Sequence, residues 1–421
     1  MKLAGESESV EKTGLFYGWV VVGCCFTLLF LCFGVVYTFG GFFQAFQQEF
    51  QASRGDVSLV FAISGFLYFI LGAVTGPLAE RVGVRRVVVA GVAIMSLGLV
   101  LASRATALWQ IYLTYGFSVG LGVGLIYVPS VGTVQRWFIR QRGLASGIAT
   151  AGIGAGNLAL PPVATGIIAL SDWRVAYLVL AATVIIVGLV AAFLLENSPQ
   201  QRGLLPDNQP LSPAETIPTN QTKFVVSGAT LKQALTSRFF WLLYLASLLL
   251  GFGLFIPFVH LAPYARDKGL GDAAGVWLIG LIGLGSTLGR FFIGGIADRL
   301  GRRQAMAATF GGISLSMLWW LVSSEIWSLA IFTLVFGLCY GGFVALAPAI
   351  TADYFGRQSV SSIIGFLYTS VAFGTLFGPP LAGVAFDLTH SYTLPIICSA
   401  LASGIGVICL VLTPTRPVHQ N

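Results

Sequence analysis

One arginine stands where a charge is expensive. The stretch Gly275 to Ala297, GVWLIGLIGLGSTLGRFFIGGIA, is long enough to cross a bilayer as a helix, roughly 35 Å at 1.5 Å per residue, and Arg290 lies inside it. A guanidinium there costs about 2.5–3.5 kcal/mol on insertion scales, so it faces a polar cavity or a partner; an anionic ligand is the partner expected here. Ser286 and Thr287, one turn earlier on the same helical face, either orient the guanidinium and touch the ligand or serve as small packing residues. His260, in IPFVHLAP, is the only histidine well inside an apolar window. Its imidazole titrates near physiological pH, which makes it a proton site or a gate, against the competing role of a hydrogen-bonded structural histidine. The prolines around it predict a broken or kinked helix. No Glu-x-x-His, His-Glu-x-x-His, Ser-His-Asp or Gly-x-x-x-x-Gly-Lys arrangement occurs in an apolar window, so no enzyme, metal or cofactor is expected.

The elements that must position these residues follow from composition. The chain has 421 residues, 56% of them hydrophobic and only 9% charged, with mean hydropathy +0.86. An ordinary soluble enzyme carries nearer a quarter charged residues, so this is an all-α polytopic membrane protein with the lipid bilayer as solvent. Windows of about 20 apolar residues argue for helices rather than barrel strands. Twelve spans are predicted, at 17–43, 57–79, 87–104, 108–135, 143–170, 174–195, 239–264, 274–297, 305–324, 327–352, 359–386 and 392–413. The N-terminal stretch lacks a cleavage-type site, so the first apolar run is expected to remain as a helix. The six cysteines all fall in apolar windows without metal or redox spacing and read as buried small hydrophobes.

Net charge is +7, and the basic residues sit between spans, so they read as topology rather than as a nucleic-acid surface. Most lie in alternate breaks, such as Arg81, Arg85, Arg86 and Arg299, Arg302, Arg303. By the positive-inside rule both termini and the central loop are cytoplasmic. Residues 196–236, rich in Pro, Gln, Asn, Ser and Thr, form a cytoplasmic linker between an N-terminal six-helix bundle, 1–195, and a C-terminal one, 237–421. The stretch Thr230 to Arg238 reads as a short amphipathic surface helix.

An internal repeat supports that division. Gly76, Glu80, Arg81, Gly83 and Arg85 recur as Gly294, Asp298, Arg299, Gly301 and Arg303, at an offset of 218 that also carries Gly147 to Gly365, Gly156 to Gly374 and Pro161-Pro162 to Pro379-Pro380. The halves are copies of one six-span unit in parallel orientation, giving two pseudo-symmetric bundles. In the repeated loop, Glu80 or Asp298 can pair with the arginines and a helix end, acting as a conformational switch; a plain positive-inside anchor is the competing role. Helix arithmetic then gives depths. Arg290 lies roughly 12 Å from Asp298 at 1.5 Å per residue, Tyr127 and Tyr368 come out level with it, and Asn157 and Tyr340 fall nearer the midplane. These residues, with Ser286, form the expected binding set. Tyrosine hydroxyls and rings suit a small carboxylate with a short carbon tail, packing being the competing role for each.

The duplicated acid-Arg-x-Gly-x-Arg loop resembles the signature of the major facilitator superfamily along the whole chain. That resemblance implies a two-bundle carrier with substrate held between the halves and alternating access by rocking. Two entries, Phe16-Tyr17-Gly18-Trp19-Val20-Val21-Val22 and Arg136-Trp137-Phe138 through Arg142-Gly143-Leu144-Ala145-Ser146-Gly147 to Ala151-Gly152, look like those of the monocarboxylate transporters, whose bacterial relatives include lactate carriers and oxalate/formate exchangers. In that family an arginine of the eighth span binds the substrate carboxylate, and Arg290 stands at the matching position. The chain departs from the family at three places: Ser286 where mammalian members carry an aspartate, Tyr37 where they carry a lysine, and no lysine in the eleventh span, where the oxalate exchangers have one. The resemblance implies a monomeric carrier in a bacterial cytoplasmic (inner) membrane that moves a small monocarboxylate, such as L-lactate or pyruvate, with a proton. An anion exchanger is the alternative, and a membrane receptor or enzyme that merely binds a carboxylate is a further one.

Overall fold

A computed structural model describes residues 16–139, 141–208, 229–356 and 360–413. Among these are twelve helices long and apolar enough to cross a membrane: Tyr17–Phe50, Arg54–Ala79, Val84–Ala102, Leu108–Trp137, Gly143–Leu170, Trp173–Leu194, Arg238–Asp267, Ala273–Ala297, Arg302–Val322, Ile326–Phe355, Ser362–Thr389 and Thr393–Val411. They are numbered here as the first to twelfth spans and build two six-helix bundles. The first span starts and the twelfth ends on one face, called here the terminal face. The expected spans all appear, with ends that agree to within a turn except in the first, which runs on to Phe50. The side chains of Glu80 and Asp298 and most of the linker, residues 209–228, lie outside the described residues. The expected surface helix is a single turn, Leu231–Leu235, closed by a Thr230–Gln233 capping box. All six cysteines are free; five are buried and Cys398 is exposed, against the expectation for it.

Two spans are broken, and at corresponding points of the repeat. The first runs as Tyr17–Tyr37 and Phe39–Phe50, the seventh as Arg238–Leu254 and Ile256–Asp267. In the seventh, Pro257 offers no N–H to the carbonyl four residues back, which is Gly253. The first has no proline there. Instead the Thr38 hydroxyl donates to the Val35 carbonyl at 2.6 Å, and the Tyr115 hydroxyl donates to it at 3.0 Å. Side chains thus supply the hydrogen bonds that a break inside a membrane protein must replace.

The halves meet along two repeat-related seams. In one, Gly283 of the eighth span abuts Asn157 of the fifth, where an added methyl would stand 2.8 Å from the Asn157 Cβ. In the other, Gly65 of the second span abuts Thr375 of the eleventh. Gly283 and Gly65 are repeat equivalents, and so are Asn157 and Thr375. The repeated loops match as well, with φ of 96° at Gly83 and 92° at Gly301, a backbone region that only glycine enters without strain.

Candidate functional site

Arg290 projects from the eighth span toward the fifth, where its Nη1 donates to the Thr150 carbonyl at 2.6 Å. Its Nε is buried with no hydrogen-bond partner. Among the described residues no carboxylate pairs with it. A buried charged donor left without an acceptor costs more than the 1–3 kcal/mol or so of a neutral one, so the Nε can take a further acceptor.

Arg290 fronts a cavity of about 30 Å³ between the halves, room for little more than solvent. The polar lining is Arg290 with Tyr68, Tyr127, Tyr340 and Tyr368; the rest is Phe33, Phe69, Ile153, Leu254, Phe343 and Val344. Of this set Arg290 alone is charged. Its charge acts on the hydroxyls of Tyr127, Tyr340 and Tyr368, and on that of Tyr37 behind them. The Tyr37 and Tyr340 hydroxyls pair at 3.1 Å across the two halves, and the Tyr37 ring stacks on Phe258 with centroids 4.6 Å apart. One guanidinium in an aromatic shell can hold one small anion and exclude water from its tail.

Four of the six expected binding residues thus come together: Arg290, Tyr127, Tyr340 and Tyr368. The other two are placed elsewhere. Asn157 donates its Nδ2 to the Ile279 carbonyl at 3.3 Å, within the seam between the fifth and eighth spans. Ser286 packs its backbone on Gly341 of the tenth span, and its Oγ is buried without a hydrogen-bond partner, outside the cavity lining. Tyr68, Phe33, Phe69 and Phe343 were not foreseen. The repeat held a signal for Tyr68, which corresponds to Ser286 at the offset of 218.

Away from the terminal face the halves are latched. Arg54, at the start of the second span, makes a two-pronged ion pair with Asp267, at 2.7 and 2.8 Å, and donates to the Tyr392 hydroxyl at 2.7 Å. Its guanidinium lies 3.7 Å from the centre of the Phe386 ring. The backbone N–H groups of Arg54 and Gly55 donate to Asp387, a carboxylate of one half on a helix N-terminus of the other. Burial pushes the Tyr392 phenol up, so it stays a neutral hydroxyl able to donate.

His260 is the inner end of this network. Its Nε2 lies 2.8 Å from the Pro379 carbonyl and 3.1 Å from Ser58 Oγ, and its Nδ1 lies 3.1 Å from the Tyr392 hydroxyl. A carbonyl only accepts, so Nε2 carries the hydrogen, while Nδ1 accepts from Tyr392, which in turn accepts from Arg54. Every bond suits the neutral imidazole. A second proton, on Nδ1, would reverse that bond and leave the Tyr392 oxygen to accept from two cations, His260 and Arg54.

On the terminal face the repeated loops grip helix ends. Arg85 Nε donates to the Leu195 carbonyl at 3.2 Å, closing the sixth span; Arg303 Nε donates to the Leu410 carbonyl at 3.1 Å and its Nη2 to that of Val411, closing the twelfth. These bonds stay within one half. Arg81 and Arg299 are exposed.

A family model described as Major Facilitator Superfamily matches residues 25–289 and 275–421. The chain belongs to the major facilitator superfamily. Its relatives place it among monocarboxylate transporter-like members. Monocarboxylate transporter 11 of Homo sapiens is 30% identical over 396 residues, 91% of this chain and 80% of that protein. Monocarboxylate transporter 12-B of Danio rerio is 30% identical over 404 residues, 92% of this chain and 84% of that protein. Monocarboxylate transporter 2 of Homo sapiens is 27% identical over 409 residues, 94% and 85% respectively. The facilitator is therefore a transporter and not an enzyme.

Proposed function

We propose that this facilitator carries a short monocarboxylate, L-lactate or pyruvate, together with a proton by alternating access between an N-terminal bundle, 1–195, and a C-terminal bundle, 237–421. The observation that carries the reading is the unpartnered Arg290 Nε beside a small aromatic cavity without a second cation. A dicarboxylate would bring a second charge that nothing in the lining compensates. The terminal face is the cytoplasmic one, supported by the positive-inside bias. Placement in a bacterial inner membrane rests on the resemblance to bacterial carriers, since the relatives quoted are vertebrate. A monomer suffices, because the cavity is built from one chain.

The conformation has its latch closed, so the anion reaches Arg290 from the cytoplasmic side or leaves toward it. The carboxylate takes Nε and draws the guanidinium from Thr150, loosening a bond between the halves. His260 is the coupling site: a proton on Nδ1 breaks the Arg54–Tyr392–His260 chain and opens the latch. The repeated loops, with Glu80, Arg81, Arg85, Asp298, Arg299 and Arg303, act on the other face as the conformational switch.

Proteoliposomes test this. Uptake of labelled L-lactate should rise several-fold with an inward proton gradient, and His260→Gln should keep lactate binding while losing that drive. One observation favours exchange instead: no carboxylate lines the cavity, and His260 is fully bonded outside it. Uptake that ignores the proton gradient but rises with internal lactate would select the exchanger.

A further inference from the structure

We infer that Tyr68 is a specificity-determining residue, whose hydroxyl reads an uncharged oxygen on the carbon beside the substrate carboxylate. The inference rests on the monocarboxylate reading above and narrows it to 2-hydroxy and 2-oxo acids over plain alkanoates. Tyr68 is 2% exposed and lines the Arg290 cavity. Its hydroxyl has no hydrogen-bond partner. The ring is held from two sides, edge-on to Phe33 with centroids 5.7 Å apart and against Phe69 at 4.4 Å, so its position is set by packing and not by a bond. Tyr127, Tyr340 and Arg290 line the same cavity.

Two buried donors without acceptors therefore front one space, Arg290 from the C-terminal half and Tyr68 from the N-terminal half. A buried polar group left unpaired discriminates strongly against a ligand lacking its partner, because the mismatch persists after binding. The charged donor takes the carboxylate. The neutral one suits a hydroxyl or keto oxygen rather than a second carboxylate. The cavity is small, so the two acceptors must sit close together on the ligand, as they do when the oxygen is on the adjacent carbon. One ligand bonded to both donors also ties the halves across the cavity.

The experiment compares pyruvate, L-lactate and propionate binding to purified wild type and Tyr68→Phe, by calorimetry and by ligand-induced thermal shift. Wild type should bind the first two about tenfold more tightly than propionate. Tyr68→Phe should weaken pyruvate and L-lactate about tenfold and leave propionate within about twofold. The ligand-free variant should melt at or above the wild-type temperature, because an unpaired hydroxyl has been removed. Equal losses for all three acids, no loss, or a lower ligand-free melting temperature would overturn the inference. Binding of none of the three by wild type would sink the monocarboxylate reading itself, which is a different result.

Discussion

If Arg290 binds the carboxylate as proposed, two tasks compete for one group. In this conformation an Nη holds the Thr150 carbonyl across the bundles while Nε waits. A planar fork can turn from one acceptor to a pair of carboxylate oxygens; an ammonium on a flexible stem cannot present two fixed donors. Arg290→Lys is therefore expected to keep the charge and lose tenfold or more in lactate affinity, measured by calorimetry. Near-normal binding would make the arginine a brace between helices. At this scale the sequence was legible in depth and not in direction. Counting residues from the basic loops put Arg290, Tyr127, Tyr340, Tyr368 and Asn157 at workable heights, but height leaves open which way a side chain faces. Asn157 faces the seam between the fifth and eighth spans, and Ser286, whose backbone packs on Gly341 of the tenth, lies outside the cavity lining with its Oγ buried and unpartnered. Tyr68 is not legible this way, since a single tyrosine among the apolar residues of the second span carries no sign of the face it takes.

The broken seventh span sets how His260 and the aromatic layer are presented. Its two helices meet at Phe255, so the segment Ile256–Asp267 carries Phe258 to Tyr37 and His260 to the latch as one unit. The prolines made this break readable from sequence. The matching break at Thr38 was not, since it depends on hydroxyls, including that of Tyr115 from another span, that replace helix bonds without any proline. Pro257→Ala restores the N–H that reaches back toward the Gly253 carbonyl and favours a straighter span. Lactate binding is expected to stay within about threefold of wild type, because no cavity-lining side chain is changed, while uptake falls by about tenfold. Unchanged uptake in proteoliposomes would show that the bend is not needed for opening.

At the scale of the molecule, the repeat supplies two equivalent seams, Gly283 on Asn157 and Gly65 on Thr375, on either side of the cavity. Two like contacts flanking a central site define a line about which one bundle can turn on the other. On either side of that line the Arg54 latch closes one face and the Arg290–Thr150 bond crosses beside the cavity. Membrane helices gain such close contact from small residues, with no hydrophobic force to help. The fold class, the twelve spans and the equivalence of the halves were all visible in the sequence, because glycine and proline spacing survives duplication. The seams were not, since a glycine in an apolar window does not say which neighbour it touches. Gly154 lies beside Gly283 and would drive any side chain into Thr287 and the Gly283 carbonyl. Gly154→Val is expected to separate the fifth and eighth spans at the pivot, lowering the melting temperature by several degrees and abolishing counterflow of labelled lactate. The same substitution at Gly23, where an added methyl meets nothing within 4 Å, should leave both unchanged. A Gly154→Val protein that exchanges lactate at the wild-type rate would show that the bundles turn about some other line.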